Sequence, residues 1–344
     1  MGRLSRDKRD VFYRRAKELG YRARSAFKLL QIDGEFDLFG LKCHEQEVDG
    51  SARDEGSAKT EMTADDKQRM QRPKLLVKRA VDLCAAPGGW TQVIVERLSS
   101  GDGVESYTRD VPKIVAVDLW PMEPLDGVDI IRGDITSLDT ARQIIDCFEG
   151  GRAELVVCDG APDVTGLHAF DSYIQHQLLM AAINITTHLL CCGGTFVAKI
   201  FRTREVGLMY TQLQLLFEDV QVAKPTASRN ASVESFVVCR GFGYGKLGID
   251  KCLDLPLEGG WDEEFSGVGG LREYPGQKVE PSVVPFVSCA KLDGVDSGGF
   301  EFLDADKSYP VGVDKAKTVL APWAPPIQPP YEMAKMKESK SVKS

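Results

Sequence analysis

Val81-Asp82-Leu83-Cys84-Ala85-Ala86-Pro87-Gly88-Gly89-Trp90 passes from a short apolar run to a glycine turn and then into helical spacing that continues to Leu98. A strand that ends in such a turn and feeds a helix is a building unit of an α/β sheet, and ligands gather at the C-terminal edge of that sheet. The absent Cβ atoms of Gly88 and Gly89 let a ligand approach the main chain closely. The pattern is not Gly-x-Gly-x-x-Gly. A dinucleotide pyrophosphate calls for three spaced glycines and a clear helix N-terminus, whereas a compact sulfonium nucleoside needs one close approach and an acid or amide for its ammonium end. S-adenosylmethionine is therefore preferred over a dinucleotide as cofactor.

Outward from this turn, β-branched runs alternate with helical spacing: Ala80 to Cys84, Ile114 to Leu119, Asp129 to Ile131, Ala153 to Cys158, Thr195 to Ile200, Val220 to Ala223 and Ser235 to Cys239. That rhythm predicts an α/β fold with a parallel, doubly wound sheet. The last two runs follow each other without a long helix between them, so the final strand is expected to enter antiparallel. Asp171 to Leu190 has the spacing of a long helix packed on the sheet, and its His176 and His188 read as satisfied side chains rather than ligands. Asp118 ends the second strand and Asp134 the third, where a carboxylate can accept from ribose hydroxyls or an adenine amino group. Each acid alone could equally cap the following helix.

The chain has 344 residues, 43% hydrophobic and 27% charged, enough for one large domain with appendages. No run is long and apolar enough to span a bilayer, and the N-terminal residues have no apolar signal core, so a cytoplasmic protein is expected. Nine cysteines without a Cys-x-x-Cys pair suggest reduced thiols and no metal site. Net charge is -8, but it is unevenly spread: residues 1–28 carry ten Lys or Arg against three acids, a net of +7, leaving -15 for the rest. Arg14, Arg22 and Arg24, with Phe12, Tyr13, Tyr21 and Phe27 nearby, suit phosphate contact and base stacking; a solvated helical face is the plainer reading.

Residues 1–41 are read as basic N-terminal helices (7–19 and 25–33, with Ser25 as a cap and Gly34 as an end signal). Residues 42–74, with eight acids between Glu45 and Asp66, read as a disordered polar insertion, and Ser99 to Pro112 as a second loop expansion. Residues 75–242 form the core, and residues 243–344 an irregular, proline-rich extension with five prolines between Pro322 and Pro330.

Four further segments carry a resemblance. Arg24-Ser25-Ala26-Phe27-Lys28-Leu29, Cys158-Asp159-Gly160-Ala161-Pro162-Asp163, Phe196-Val197-Ala198-Lys199-Ile200-Phe201 and Ser232-Val233-Glu234-Ser235-Phe236 resemble, in order, the Lys-Asp-Lys-Glu tetrad contexts of the FtsJ family of RNA 2'-O-ribose methyltransferases. The resemblance implies a Rossmann-like methyltransferase fold, a seven-stranded, mostly parallel sheet with its last-added strand antiparallel and helices on both faces. It also implies S-adenosylmethionine contacts from Gly88, Trp90, Asp118, Asp134 and Asp159, and catalytic roles for Lys28, Asp159, Lys199 and Glu234. Longer stretches, Gly20 to Gln31, Asp159 to His168 and Gly193 to Arg202, are similar to the eukaryotic tRNA branch. That branch methylates anticodon-loop riboses, at the wobble nucleotide and the one two places before it. Its enzymes work with helper proteins, one a WD-repeat propeller and one a helical-repeat protein, and the extension is a possible docking segment.

A ribose hydroxyl is a poor nucleophile, so methylation needs a base beside it and the methyl donor in line with the oxygen. Lys199 is the candidate base. Its pKa must fall for that role; desolvation and Lys28 push it down, while Asp159 and Glu234 oppose, and residue types alone do not settle the balance. The same tetrad serves ribosomal RNA and mRNA-cap substrates, which remain the alternative. A catalytically silent RNA-binding protein and a dinucleotide oxidoreductase are the rivals from other classes. An isolated buried Lys-Glu pair is also commonly a plain ion pair.

Overall fold

The computed structural model describes residues 10–40, 75–99, 111–162, 168–202, 206–246 and 283–292, without side chains for residues 168 and 169. The acidic insertion at 42–74, most of the second expansion and the Pro322 to Pro330 segment lie outside these residues. The elements are α1 (Val11–Leu19), α2 (Ala26–Phe36), β1 (Arg79–Leu83), α3 (Gly89–Ser99), β2 (Lys113–Asp118), β3 (Val128–Arg132) and α4 (Leu138–Cys147). They continue as β4 (Ala153–Cys158), α5 (His168–Leu189), β5 (Leu190–Phe201), α6 (Val206–Leu216), β6 (Phe217–Pro225), β7 (Glu234–Phe242) and β8 (Phe286–Cys289).

One sheet runs in the order β3-β2-β1-β4-β5-β7-β6-β8. β1 to β5 are mutually parallel where they pair, and β7 enters antiparallel between β5 and β6, with Lys199 beside Phe236 and Phe201 beside Glu234. The expected α/β class and antiparallel insertion are present; the expected count of seven is corrected to eight. The eighth strand comes from the extension read as irregular, and it pairs parallel with β6, Ala223 beside Val287. Four residues with only modest alternation do not stand out as a strand until a sheet edge is there to receive them.

Because strand side chains alternate, each strand feeds two cores. Val156, Phe196, Ala198 and Val237 pack with Ile144 of α4, Leu179 and Ile183 of α5 and Leu213 of α6. Val157, Val197, Phe236 and Val238 pack on the opposite face with Phe12 of α1, Phe27 and Leu30 of α2 and Ile94 of α3. Parity therefore puts Lys199, two residues from Val197, and Glu234, two from Phe236, on the face covered by α2. Lys28 belongs to α2. Among the described residues no helix is long and apolar enough to cross a membrane.

Two local expectations are corrected. Asp10 caps α1, accepting from the Tyr13 N–H at 3.1 Å, whereas Ser25 precedes α2 without a capping hydrogen bond. Gly34 does not end α2, which runs on to Phe36; a Cβ there would lie 2.6 Å from the Lys291 carbonyl oxygen. The glycine is a notch against which the segment after β8 rests.

Candidate active site

The four residues picked out from separate sequence contexts meet in one cluster at the C-terminal end of β4 and β5. Lys28 Nζ lies 2.9 Å from Glu234 Oε1, and Lys199 Nζ lies 3.2 Å from Glu234 Oε2. Asp159 Oδ1 is 3.7 Å from both ammonium groups. At that distance the contacts are ion pairs rather than hydrogen bonds. The oxygen is buried and has no hydrogen-bond partner. A buried acceptor left open between two cations is an arrangement that an incoming hydroxyl completes.

Charge balance follows from this geometry. Burial alone pulls the Lys199 pKa down and is the strongest single influence. The charges of Asp159 and Glu234, with the Glu234 hydrogen bond, together outweigh it and raise the pKa above that of an ordinary lysine. The balance that residue types left open is thus settled for the free protein in favour of the two carboxylates, against the desolvation that lowers the pKa. Burial pushes the Glu234 carboxyl up, but Lys28, Lys199 and Ser228 overcome that and hold it well below the usual carboxylate range. Gln175 of α5 completes the surround, donating to the Gly160 carbonyl at 3.2 Å and the Lys199 carbonyl at 3.1 Å. Sequence reasoning passed over Gln175 and Ser228, since neither stands in a pattern that marks it.

The glycine turn lies one strand away. Asp118 Oδ2 accepts from the Ala86 N–H and Oδ1 from the Trp120 N–H, both at 2.8 Å, so this acid ties the β2 end to the turn and keeps lone pairs for a ligand. Asp134 is exposed, with Oδ1 accepting from the Thr136 N–H and hydroxyl at 2.9 and 2.8 Å. Gly88 has φ +104°, which side chains rarely adopt, and the space beside it is filled from within: a Cβ would lie 2.8 Å from Arg22 Nη1. The close approach that requires glycine is thus made by an arginine of this chain. Trp90 follows in the first turn of α3. Its indole is buried against Phe236 and donates to the Ser25 carbonyl at 2.8 Å, leaving its main-chain N–H in the first turn of α3 as what it can offer an anion.

Arg22 donates to the Pro87, Glu123 and Pro124 carbonyls at 3.2, 2.9 and 2.8 Å, and Arg24 is bonded to Asp10 and to the Ala227 carbonyl. Both guanidinium groups, expected on the RNA face, also bond carbonyls of this chain: Arg22 joins the turn to the β2–β3 loop at the surface, and Arg24 reaches the β6–β7 loop. Arg14 lies half-buried on α1, its Nε shielded without a partner.

Asp82, wholly buried behind the turn, accepts from Thr91 Oγ1 at 2.6 Å. Burial chiefly, with the charges of Asp159 and Asp118, pushes its pKa up to about 7 against the Thr91 hydrogen bond. An unfolded aspartate titrates near ~4. Between about pH 4 and pH 7 the unfolded state therefore sheds a proton that the folded state keeps, and stability falls as pH rises; above pH 7 the loss is constant. Asp82→Asn should remove this decline, gaining roughly 2–3 kcal/mol on the wild type between pH 5 and 7.5 in denaturant titrations. Parallel pH dependences would count against a protonated Asp82.

A model of the FtsJ-like methyltransferase family matches residues 21–242, from just before α2 to the end of β7. The chain belongs to this family. Its relatives extend beyond the matched segment. A tRNA (cytidine(32)/guanosine(34)-2'-O)-methyltransferase of Homo sapiens is 45% identical over 337 residues, covering 97% of this chain and 84% of its own length. The protein of the same name from Schizosaccharomyces pombe is 42% identical over 347 residues, covering 99% of this chain and all of its own length, 100%. A tRNA (guanosine(34)-2'-O)-methyltransferase of Drosophila melanogaster is 42% identical over 340 residues, covering 97% and 86%. As an FtsJ-like methyltransferase, the chain carries all four tetrad residues in one cluster.

Proposed function

We propose that this FtsJ-like methyltransferase moves a methyl group from S-adenosylmethionine to the 2'-hydroxyl of anticodon-loop riboses in tRNA, at positions 32 and 34, the two positions in its relatives' names. The observation that carries the reaction is Asp159 Oδ1, buried between two ammonium groups and lacking a donor. The residues around the glycine turn fit the cofactor: main-chain N–H groups opening α3, Asp118 at the β2 end and exposed Asp134 at the β3 end. When bound, S-adenosylmethionine supplies an electrophilic methyl on a positively charged sulfur.

Asp159 would accept a hydrogen bond from the ribose hydroxyl, and the neutral amine of Lys199 would take its proton, leaving the oxygen able to accept the methyl group that bound S-adenosylmethionine supplies. Lys199 must first lose its own proton, since an ammonium accepts none. Lys28 and Glu234 hold the amine in place rather than entering the bond changes. Arg14, Arg15 and Lys17 of α1, with Arg22 and Arg24 after it, draw RNA by charge in this reading.

The test is to incubate the chain, alone and with WD-repeat or helical-repeat helper candidates, with unmodified tRNA and labelled methyl donor, then map the labelled ribose. Label at nucleotide 32 or 34 is the expected result. Label confined to ribosomal RNA or capped mRNA offered in the same reaction would replace this substrate, and saturable NAD binding in place of S-adenosylmethionine binding would overturn the chemistry.

A further inference from the structure

Glu234 opens β7 directly after the loop at 226–233, and the atoms that aim its carboxylate come from that loop. Ser228, 2% exposed, donates from Oγ to Glu234 Oε1 at 2.7 Å. Lys28 meets the same oxygen at 2.9 Å, so Oε2 is left for Lys199 at 3.2 Å. One carboxylate thus serves two amines with different tasks, and the Ser228 bond adds a third point that fixes its plane.

Ser228 is itself held from two sides. Its N–H donates to the Pro225 carbonyl at 3.0 Å, and the neighbouring Ala227 N–H donates to Gln31 Oε1 at 2.9 Å. Gln31 Nε2 donates to Thr226 Oγ1 at 2.6 Å and to the Ala290 carbonyl at 3.4 Å, while the Thr226 N–H donates to the Cys289 carbonyl at 2.9 Å. Gln31 is fully buried and lies three residues beyond Lys28 on α2. The helix that supplies Lys28 therefore also carries the amide that sets the height of the loop aiming Glu234, and the end of β8 braces it from behind. β8 lies beyond the segment matched by the family model.

We propose that Ser228 is a positioning residue for methyl transfer, kept in register by Gln31 and the β8 segment; this rests on the tetrad being the methyl-transfer site. The terminal torsion of a glutamate is soft and nearly two-fold. Without the Ser228 hydroxyl, the carboxylate plane of Glu234 is free to rotate about that torsion, and the amine loses its fixed direction toward the ribose. Turnover suffers while cofactor binding, one strand away, does not.

The experiment compares Ser228→Ala, Ser228→Thr, Gln31→Ala and the Ser228→Ala/Gln31→Ala double variant in the full chain, under the conditions in which the wild type methylates tRNA. Single-turnover rates are read beside S-adenosylmethionine affinity. Ser228→Ala should slow transfer by ~10–50-fold with cofactor affinity within about twofold, and Ser228→Thr, which keeps the hydroxyl, should recover most of the rate. The double variant should be no slower than the slower single one, since both act through one loop. Wild-type turnover by Ser228→Ala, equal losses in the alanine and threonine variants, or losses that multiply would overturn the inference. The two Ser228 variants decide the matter by themselves if Gln31→Ala does not fold. A wild-type chain inactive on tRNA in the same assay would instead defeat the proposed function.

Discussion

Lys199→Ala should lower single-turnover methyl transfer by at least ~10³-fold, about 4 kcal/mol of barrier, while S-adenosylmethionine affinity stays within a few fold. In the proposed reaction the amine acts on the ribose hydroxyl, and the turn residues that fit the cofactor, Gly88 to Trp90 with Asp118, do not bond to it. The variant leaves Glu234 paired with Lys28 and Ser228, so the fold is expected to survive. In the wild type the raised pKa of Lys199 keeps the amine mostly protonated at neutral pH. The sign follows: the active, neutral form grows as pH rises toward that pKa, so the transfer rate should climb about tenfold per pH unit between pH 7 and 9. Substantial turnover by Lys199→Ala, or a wild-type rate flat across that range, would remove Lys199 as the base.

Glu234→Gln should damage both stability and turnover. The glutamate is the shared anion of two lysines whose side chains are 11% exposed, and its own is 12% exposed. Neutralising it leaves Lys28 and Lys199 with Asp159 alone, at 3.7 Å from each. Removing one partner of a buried pair typically costs about 3–5 kcal/mol, and chemical denaturation at pH 7.5 should register a loss of that order. Because the folded pKa of Glu234 is depressed, its contribution is present above the unfolded value near ~4.3 and is lost as pH falls. The gap between variant and wild type should accordingly narrow below about pH 4.5. A gap independent of pH, or none at pH 7.5, would mean that the cluster is not held together by this charge.

Much of the site was legible because its parts sit in local contexts. Asp159 follows a fully buried strand, Lys199 interrupts an apolar one, and Asp118 closes a third; in each case a charged residue stands where the period predicts a buried or strand-end position. The bonds that Arg22, Arg24 and Trp90 make within the chain were not legible, for a common reason. A charge or an indole in a sequence has no direction, and here the three side chains also bond the Pro87, Ala227 and Ser25 carbonyls. Gln31 left no signal because its hydrogen bonds reach residues up to 259 positions away, and Ser228 left none because its bond to Glu234, across one loop, follows no helical or strand period.

The alternation of apolar runs with helical spacing, the glycine turn and the residue types of the tetrad are properties of the chain itself, since backbone period and side-chain chemistry act over a few neighbours. Tertiary structure alone decided that a short segment of the extension becomes the eighth strand, that Lys199 holds its proton more tightly in the free protein, and that one carboxylate is aimed at two lysines by a serine. Those outcomes depend on distances and desolvation between elements remote in sequence, and such quantities exist only once the sheet has brought the elements together.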